Sequence, residues 1–82
     1  MYSVHLTIKA QNALKKLDKF YQERIRNKLK SLKENPRLGK PLTANLSGMW
    51  SLRIGKCRAI YAIKDKELIV LVLDIAHRKK VY

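Results

Sequence analysis

Two arginines, Arg53 and Arg58, flank the dipeptide Gly55-Lys56. With Gly55 and Lys56 as a tight turn, Ile54 pairs with Cys57 and Arg53 stands directly across from Arg58, their Cβ atoms ~5 Å apart on one face. Like charges opposed in this way cost a few tenths of a kcal/mol or more, and neither strand offers an acidic neighbour to relieve them. Guanidinium forks fit phosphate or carboxylate bidentately, so the pair reads as an anion site. The plainer alternative is two side chains splayed into water with their stems on the sheet. Further along stand His77, Arg78, Lys79, Lys80 and Tyr82. An imidazole, several cations and a phenol near an arginine pair are the parts that phosphodiester cleavage needs. The attacking hydroxyl needs a base, the crowded phosphate needs positive charge and the departing oxygen needs an acid. A basic tail that adds only electrostatic affinity, with His77 as a surface residue, accounts for the same composition.

The elements that must position these groups are legible from periodicity. Tyr2 to Ile8 alternates Val4, Leu6 and Ile8 against Ser3, His5 and Thr7, the pattern of a strand with one buried face. From Ala10 the apolar spacing becomes three and four, through Ala13, Leu14, Leu17, Tyr21, Ile25, Leu29 and Leu32, until Asn35-Pro36 stops the helix. One uninterrupted helix of that length would span ~35 Å, more than the ~30 Å diameter of a domain with a radius of gyration near ~12 Å. A break at Asp18-Lys19, with Asp18 as cap, turns it into a helical hairpin. Arg37 to Ser47 reads as a loop. Met49–Ile54, Cys57–Ile63 and Leu68–Ala76 are strand signals, the last two apolar on both faces as central strands are, with Gly55-Lys56 suited to a type II′ turn and Lys64 to Glu67 turning between the second and third. The expectation is an α+β fold in a single domain over residues 1–82: an N-terminal strand, a helical hairpin, then a three-stranded antiparallel meander, all in one sheet with the helices on one face. Carrying the register through the second turn pairs Leu73 with Arg58 and sets His77 on the arginine face; a bulge or a one-residue slip reverses that placement.

Composition narrows the function. The 82 residues hold 19 Lys plus Arg against 6 Asp plus Glu, a formal charge of +13. Solubility of a small domain needs a net charge of only ~2 to 8, so the excess points to a polyanionic partner. Between Glu34 and Asp65 there is no acidic residue, while Arg37, Lys40, Arg53, Lys56, Arg58 and Lys64 all fall there. The single Cys57 excludes an internal disulfide, and with His5 and His77 it cannot complete the usual four-ligand zinc site. No apolar run reaches the ~18 residues of a membrane span. A reduced, cytoplasmic protein with no membrane partner is the expectation.

Taken together, the strand-helix-helix-sheet order, Trp50-Ser51-Leu52-Arg53-Ile54, Arg58-Ala59-Ile60-Tyr61 and His77-Arg78-Lys79-Lys80-Val81-Tyr82 resemble the RelE/ParE superfamily of type II toxin–antitoxin toxins, on its RelE side, over essentially the whole chain. The resemblance implies an mRNA interferase that cuts the codon in the ribosomal A site, with the RNA's own 2′-hydroxyl as nucleophile and no metal or cofactor. By position, Arg53 resembles the basic residue of the second strand and Arg58 the arginine that holds the scissile phosphate. Arg78 resembles the arginine near the leaving oxygen, and Tyr82 the tyrosine that stacks on the base or helps activate the 2′-hydroxyl. His77 matches relatives that use histidine in proton transfer. Lys40, Lys56, Lys79 and Lys80 are RNA-binding candidates. Some relatives carry a lysine where this chain has Ser51, a gap that Lys56 or Lys40 would fill. The resemblance further implies a cognate antitoxin, acidic by charge complementarity, and a toxin–antitoxin hetero-oligomer, with Leu38 and Leu42 as contact points or plain loop anchors. Two other readings remain at this level: a ParE-like inhibitor of DNA gyrase, and a non-catalytic RNA- or ribosome-binding module. His5 reads as structural or solvent-facing, Cys57 as a small buried hydrophobe and Trp50 as core, and the helix lysines Lys15, Lys16, Lys19, Lys28, Lys30 and Lys33 read as a solvated face or as non-specific contacts to ribosomal RNA phosphates.

Overall fold

The computed structural model describes residues 1–42 and 48–77. Strand β1 (Ser3–Leu6) leads into helix α1 (Ile8–Lys15) and helix α2 (Lys19–Lys30), which a short 3-10 turn, Ser31–Lys33, extends. Strands β2 (Lys40–Pro41), β3 (Met49–Ile54), β4 (Cys57–Lys64) and β5 (Ile69–His77) complete one five-stranded sheet in the order β1-β5-β4-β3-β2. β1 runs parallel to β5, and the other neighbours are antiparallel. The expected α+β architecture holds, with two changes. A two-residue edge strand, β2, lies within the stretch read as loop, too short for any periodicity to register. The first strand stops at Leu6: Thr7 caps α1 by accepting from the Ala10 N–H at 3.1 Å, and Ile8 opens the helix, 76% exposed, instead of continuing the strand.

The helical hairpin forms as expected, and the radius of gyration is 11.9 Å. Asp18 does occupy the N-cap position of α2, but its side chain makes no capping bond. The turn is closed instead by Gln22, whose side-chain amide donates to the Leu17 carbonyl at 2.8 Å and to the Lys15 carbonyl at 3.4 Å, serving acceptors that α1 leaves open. Ala10 and Leu14 of α1, Ile25 and Leu29 of α2, and Leu32 meet Leu52, Ile54, Cys57, Ala59, Tyr61, Val70, Val72 and Ile75 in one core. Both helices therefore cover the sheet face that carries these residues. The alternate positions of β3 and β4, Ser51, Arg53 and Arg58 among them, belong to the other face. Among the described residues no helix is long and apolar enough to cross a membrane.

A surface network ties the start of β1 to the β4–β5 turn. The Tyr2 hydroxyl donates to one oxygen of Asp65 and Arg37 donates to the other at 2.9 Å. The Tyr2 phenol and the Arg37 guanidinium hold the Asp65 carboxyl below its ordinary 3.8, and the same bond to Asp65 raises the phenol. A lowered carboxyl favours the folded state above its ordinary pKa and loses that contribution as pH falls through the folded value; a raised phenol contributes below its ordinary value and loses it as pH rises. The melting-temperature gap between wild type and Asp65→Asn should accordingly be open at neutral pH and close as pH falls through the lowered carboxyl pKa, read by thermal unfolding across an acid titration.

Candidate functional site

The β3–β4 hairpin has the register that the turn dictates. Ile54 pairs with Cys57 and Arg53 with Arg58. Gly55 takes φ +60 while Lys56 is not left-handed, as a type II′ turn requires. Both arginines are exposed. On the outer side of β3, Lys40 pairs with Ser51, so Lys40, Ser51, Arg53 and Arg58 share the face away from the helices. Beside them a groove of about 520 Å³ is lined by Lys28, Leu38, Lys40, Ser51, Arg53 and Arg58, together with backbone of the β2 segment. Every charged residue lining it is a cation. Among the described residues the two ion pairs are Lys9–Asp74 at 3.6 Å and Arg37–Asp65 at 2.9 Å, and neither draws on a groove cation. Such a surface attracts phosphate or carboxylate and repels cations.

Tyr61 anchors the edge that carries Lys40. It is fully buried, donates its hydroxyl to the Pro36 carbonyl at 2.8 Å and accepts from the Gly39 N–H at 3.1 Å. Burial pushes the phenol up, so it stays protonated as a donor. Trp50 stacks on it, ring centroids 6.4 Å apart, which agrees with a core role for that tryptophan. Gly39 has no room for a side chain: a Cβ there would collide with the Ser51 carbonyl oxygen and lie 2.9 Å from the Tyr61 hydroxyl. Gly39→Ala is expected to lower stability by about 1 to 3 kcal/mol, measured by denaturant unfolding, because the obstacle is strand backbone that cannot step aside.

His77 departs from the expected placement. β5 pairs with β4 from Lys64↔Ile69 to Tyr61↔Val72, then shifts, so that Ile60 faces Asp74 and Arg58 faces Ala76. Leu73 is the extra residue of a bulge, and the Thr7 hydroxyl donates to its carbonyl at 2.9 Å. The expected Leu73–Arg58 pairing is replaced by Ala76–Arg58: the β4–β5 turn already offsets the register by two residues, which keeps the faces, and the bulge adds the third, which exchanges them. Everything beyond the bulge changes face, and His77 pairs with buried Cys57 on the helical side, its ring 6.1 Å from Tyr21 and edge-on to it. The arginine pair and His77 thus lie on opposite faces of the sheet.

Lys56 sits in the hairpin turn, outside the lining of the groove. His5 is exposed on β1, at the far edge of the sheet. Cys57 is buried, which raises its thiol pKa, as expected of a small hydrophobe. Leu38, 40% exposed, and Leu42 line the groove. Arg78, Lys79, Lys80 and Tyr82 lie outside the described residues. Sequence reasoning did not place Lys28 at the site, reading it with the other helix lysines as a solvated face or a diffuse contact to RNA phosphate. No periodicity could show that this face meets the edge of β3; only the packing angle of α2 brings the ammonium into the groove.

Comparison with known proteins agrees with this architecture. The sequence profile for the ParE toxin of the type II toxin–antitoxin system parDE matches residues 4–82. Toxin RelG of Mycobacterium tuberculosis is 34% identical over 83 aligned positions, which take in 99% of this chain and 95% of that protein. Toxin RelE of the same organism is 37% identical over 83 positions, 99% of this chain and 86% of that protein. The crystal structure of the toxin–antitoxin complex RelBE2 from Mycobacterium tuberculosis contains a chain that superposes with a TM-score of 0.88 at 34% identity, covering 94% of this chain and 91% of that one. With the fold, the hairpin register and these matches in agreement, the chain belongs to the RelE/ParE family of type II toxin–antitoxin toxins, and the relatives it resembles here are RelE-like.

Proposed function

We propose that this toxin is a ribosome-dependent endoribonuclease that cuts mRNA in the ribosomal A site and so stops translation. The observation that carries the reading is the opposed Arg53/Arg58 pair on a face whose groove gathers Lys28 and Lys40 and no acidic side chain. In the reaction the RNA 2′-oxygen attacks the adjacent phosphorus, the bond to the 5′-oxygen breaks, one proton leaves the 2′-hydroxyl and one reaches the departing oxygen. The phosphorane-like transition state carries more negative charge than the diester. Arg58, with Arg53 beside it, binds that excess more tightly than the ground state, which is what lowers the barrier. Lys40 stands directly across from Ser51, where some relatives carry a lysine, and supplies a cation from the neighbouring strand. The family resemblance gives Arg78 the leaving oxygen and Tyr82 the base or the 2′-hydroxyl. His77, turned to the helical side, is left out of the proton transfers that take place at the arginine face.

An antitoxin partner completes the reading. The formal charge of +13 favours an acidic one, whose approach such a field speeds and orients. The relative crystallised as RelBE2 is itself a toxin–antitoxin complex. The test is primer extension on mRNA in a translating extract, with and without the toxin. Codon-positioned cuts are expected. Intact mRNA together with blocked supercoiling by DNA gyrase would instead establish the ParE-type activity, and intact mRNA with salt-sensitive ribosome binding alone would reduce the chain to a binding module.

A further inference from the structure

Helix α2 presents Arg24 and Lys28 one turn apart, a like-charge spacing that costs an isolated helix about 0.2 to 0.5 kcal/mol. Both are exposed, and neither joins an ion pair among the described residues. Between them and the β3–β4 turn opens a notch of about 360 Å³, lined by Arg24, Asn27, Lys28, Ser31, Arg53 and Gly55. Its charged groups are all cations, and its neutral polar groups, an amide and a hydroxyl, can donate. Lys28 and Arg53 line both this notch and the groove on the open face. The two depressions therefore share a wall, and a continuous cationic path runs from the arginine pair around β3 onto α2. Gly55 borders the path without filling it; even an added Cβ would meet the Arg24 guanidinium only at ordinary contact, 3.5 Å. A guanidinium, an ammonium, an amide and a hydroxyl around an open notch form the donor set that grips a sugar–phosphate backbone without reading bases.

We infer that the notch is a second phosphate subsite, which holds the backbone of the same RNA strand a short distance from the phosphate held by Arg58. The inference rests on the RNA-cleaving function proposed above. A strand that leaves the groove past Arg53 enters the notch without meeting an acidic side chain, so Arg24, which lines only the notch, sets the footprint and affinity for RNA and leaves the chemical step alone, while Lys28 serves both depressions.

The test uses the intact toxin and 2′-O-methyl RNA, which lacks the nucleophile and cannot be cut. Dissociation constants for a trinucleotide and a nonanucleotide are measured by fluorescence anisotropy over a range of salt, for wild type, R24Q, R58Q and the control K15Q, which removes one exposed cation of α1. Losing one phosphate contact on a single strand should flatten the log–log salt slope for the nonanucleotide by about 0.7 in R24Q, leave the trinucleotide unchanged and not occur in the control. An equal loss for both lengths, the same flattening in K15Q, or no change in slope overturns the subsite. R58Q is expected to weaken both lengths. Should it weaken neither, the RNA-cleaving assignment fails, while the length dependence of R24Q still stands or falls by itself.

Discussion

Arg58→Ala is expected to lower codon-positioned mRNA cleavage by about 100- to 1,000-fold and to relieve growth arrest, with the thermal unfolding of the purified protein essentially unchanged. The size follows from the role: removing one preorganised group that faces developing negative charge typically costs about 2.7 to 4 kcal/mol of transition-state stabilisation. The intact fold follows from position, since Arg58 is exposed and faces Arg53, with no acidic partner in the register on either side. Relief of that like-charge opposition works in favour of stability, by a few tenths of a kcal/mol. Arg58→Lys separates charge from geometry. A point charge on a flexible stem keeps the attraction but loses the bidentate fork, so partial activity is expected. Wild-type cleavage in Arg58→Ala would remove the scissile phosphate from this face.

Tyr61 is the second position where one change is expected to do much. Its ring is fully buried and stacked on Trp50, and its hydroxyl satisfies two backbone groups of the segment leading into β2. Tyr61→Ala should cost about 3 to 5 kcal/mol, the range for emptying an aromatic site in a packed core. For a domain this small that is a large fraction of a total on the order of 5 kcal/mol, so loss of cooperative folding at 37 °C is expected. Tyr61→Phe keeps the ring but strands the Pro36 carbonyl and the Gly39 N–H, at about 1 to 3 kcal/mol. Denaturant unfolding reads both. In the phenylalanine variant, the folded fraction should bind RNA more weakly as well, because Lys40 rides on the segment that the hydroxyl pins. Equal stability of Tyr61→Phe and wild type would mean that the two hydrogen bonds do not hold the edge.

The β3–β4 hairpin was legible because its information is local: Gly55-Lys56 fixes the turn, the turn fixes the register, and Arg53 must then oppose Arg58. The helical hairpin was legible from size as much as from pattern. β5 was not, beyond its existence. A bulge inserts one residue where the Thr7 hydroxyl, 66 residues away in sequence, accommodates the freed carbonyl of Leu73. No window around Leu73 contains that information, and with it went the placement of His77. The same holds for Lys28, whose neighbours in the groove come from β2, β3 and β4. Ile8 shows the reverse error: its alternation with Leu6 was real, but the threonine between them was a helix cap.

The parallel pairing of β1 with β5 also bears on how this protein is born. β1 leaves the ribosome before every other described strand, and its sheet neighbour is the last described strand to be made. β5 also flanks β4, so the sheet lacks an interior strand until the last of the described strands is made. A nascent chain can form the two helices and the arginine hairpin, whose contacts are short in sequence, yet it cannot close the core beneath them. A toxin of this family is thereby denied a finished core until β5 has left the ribosome that makes it.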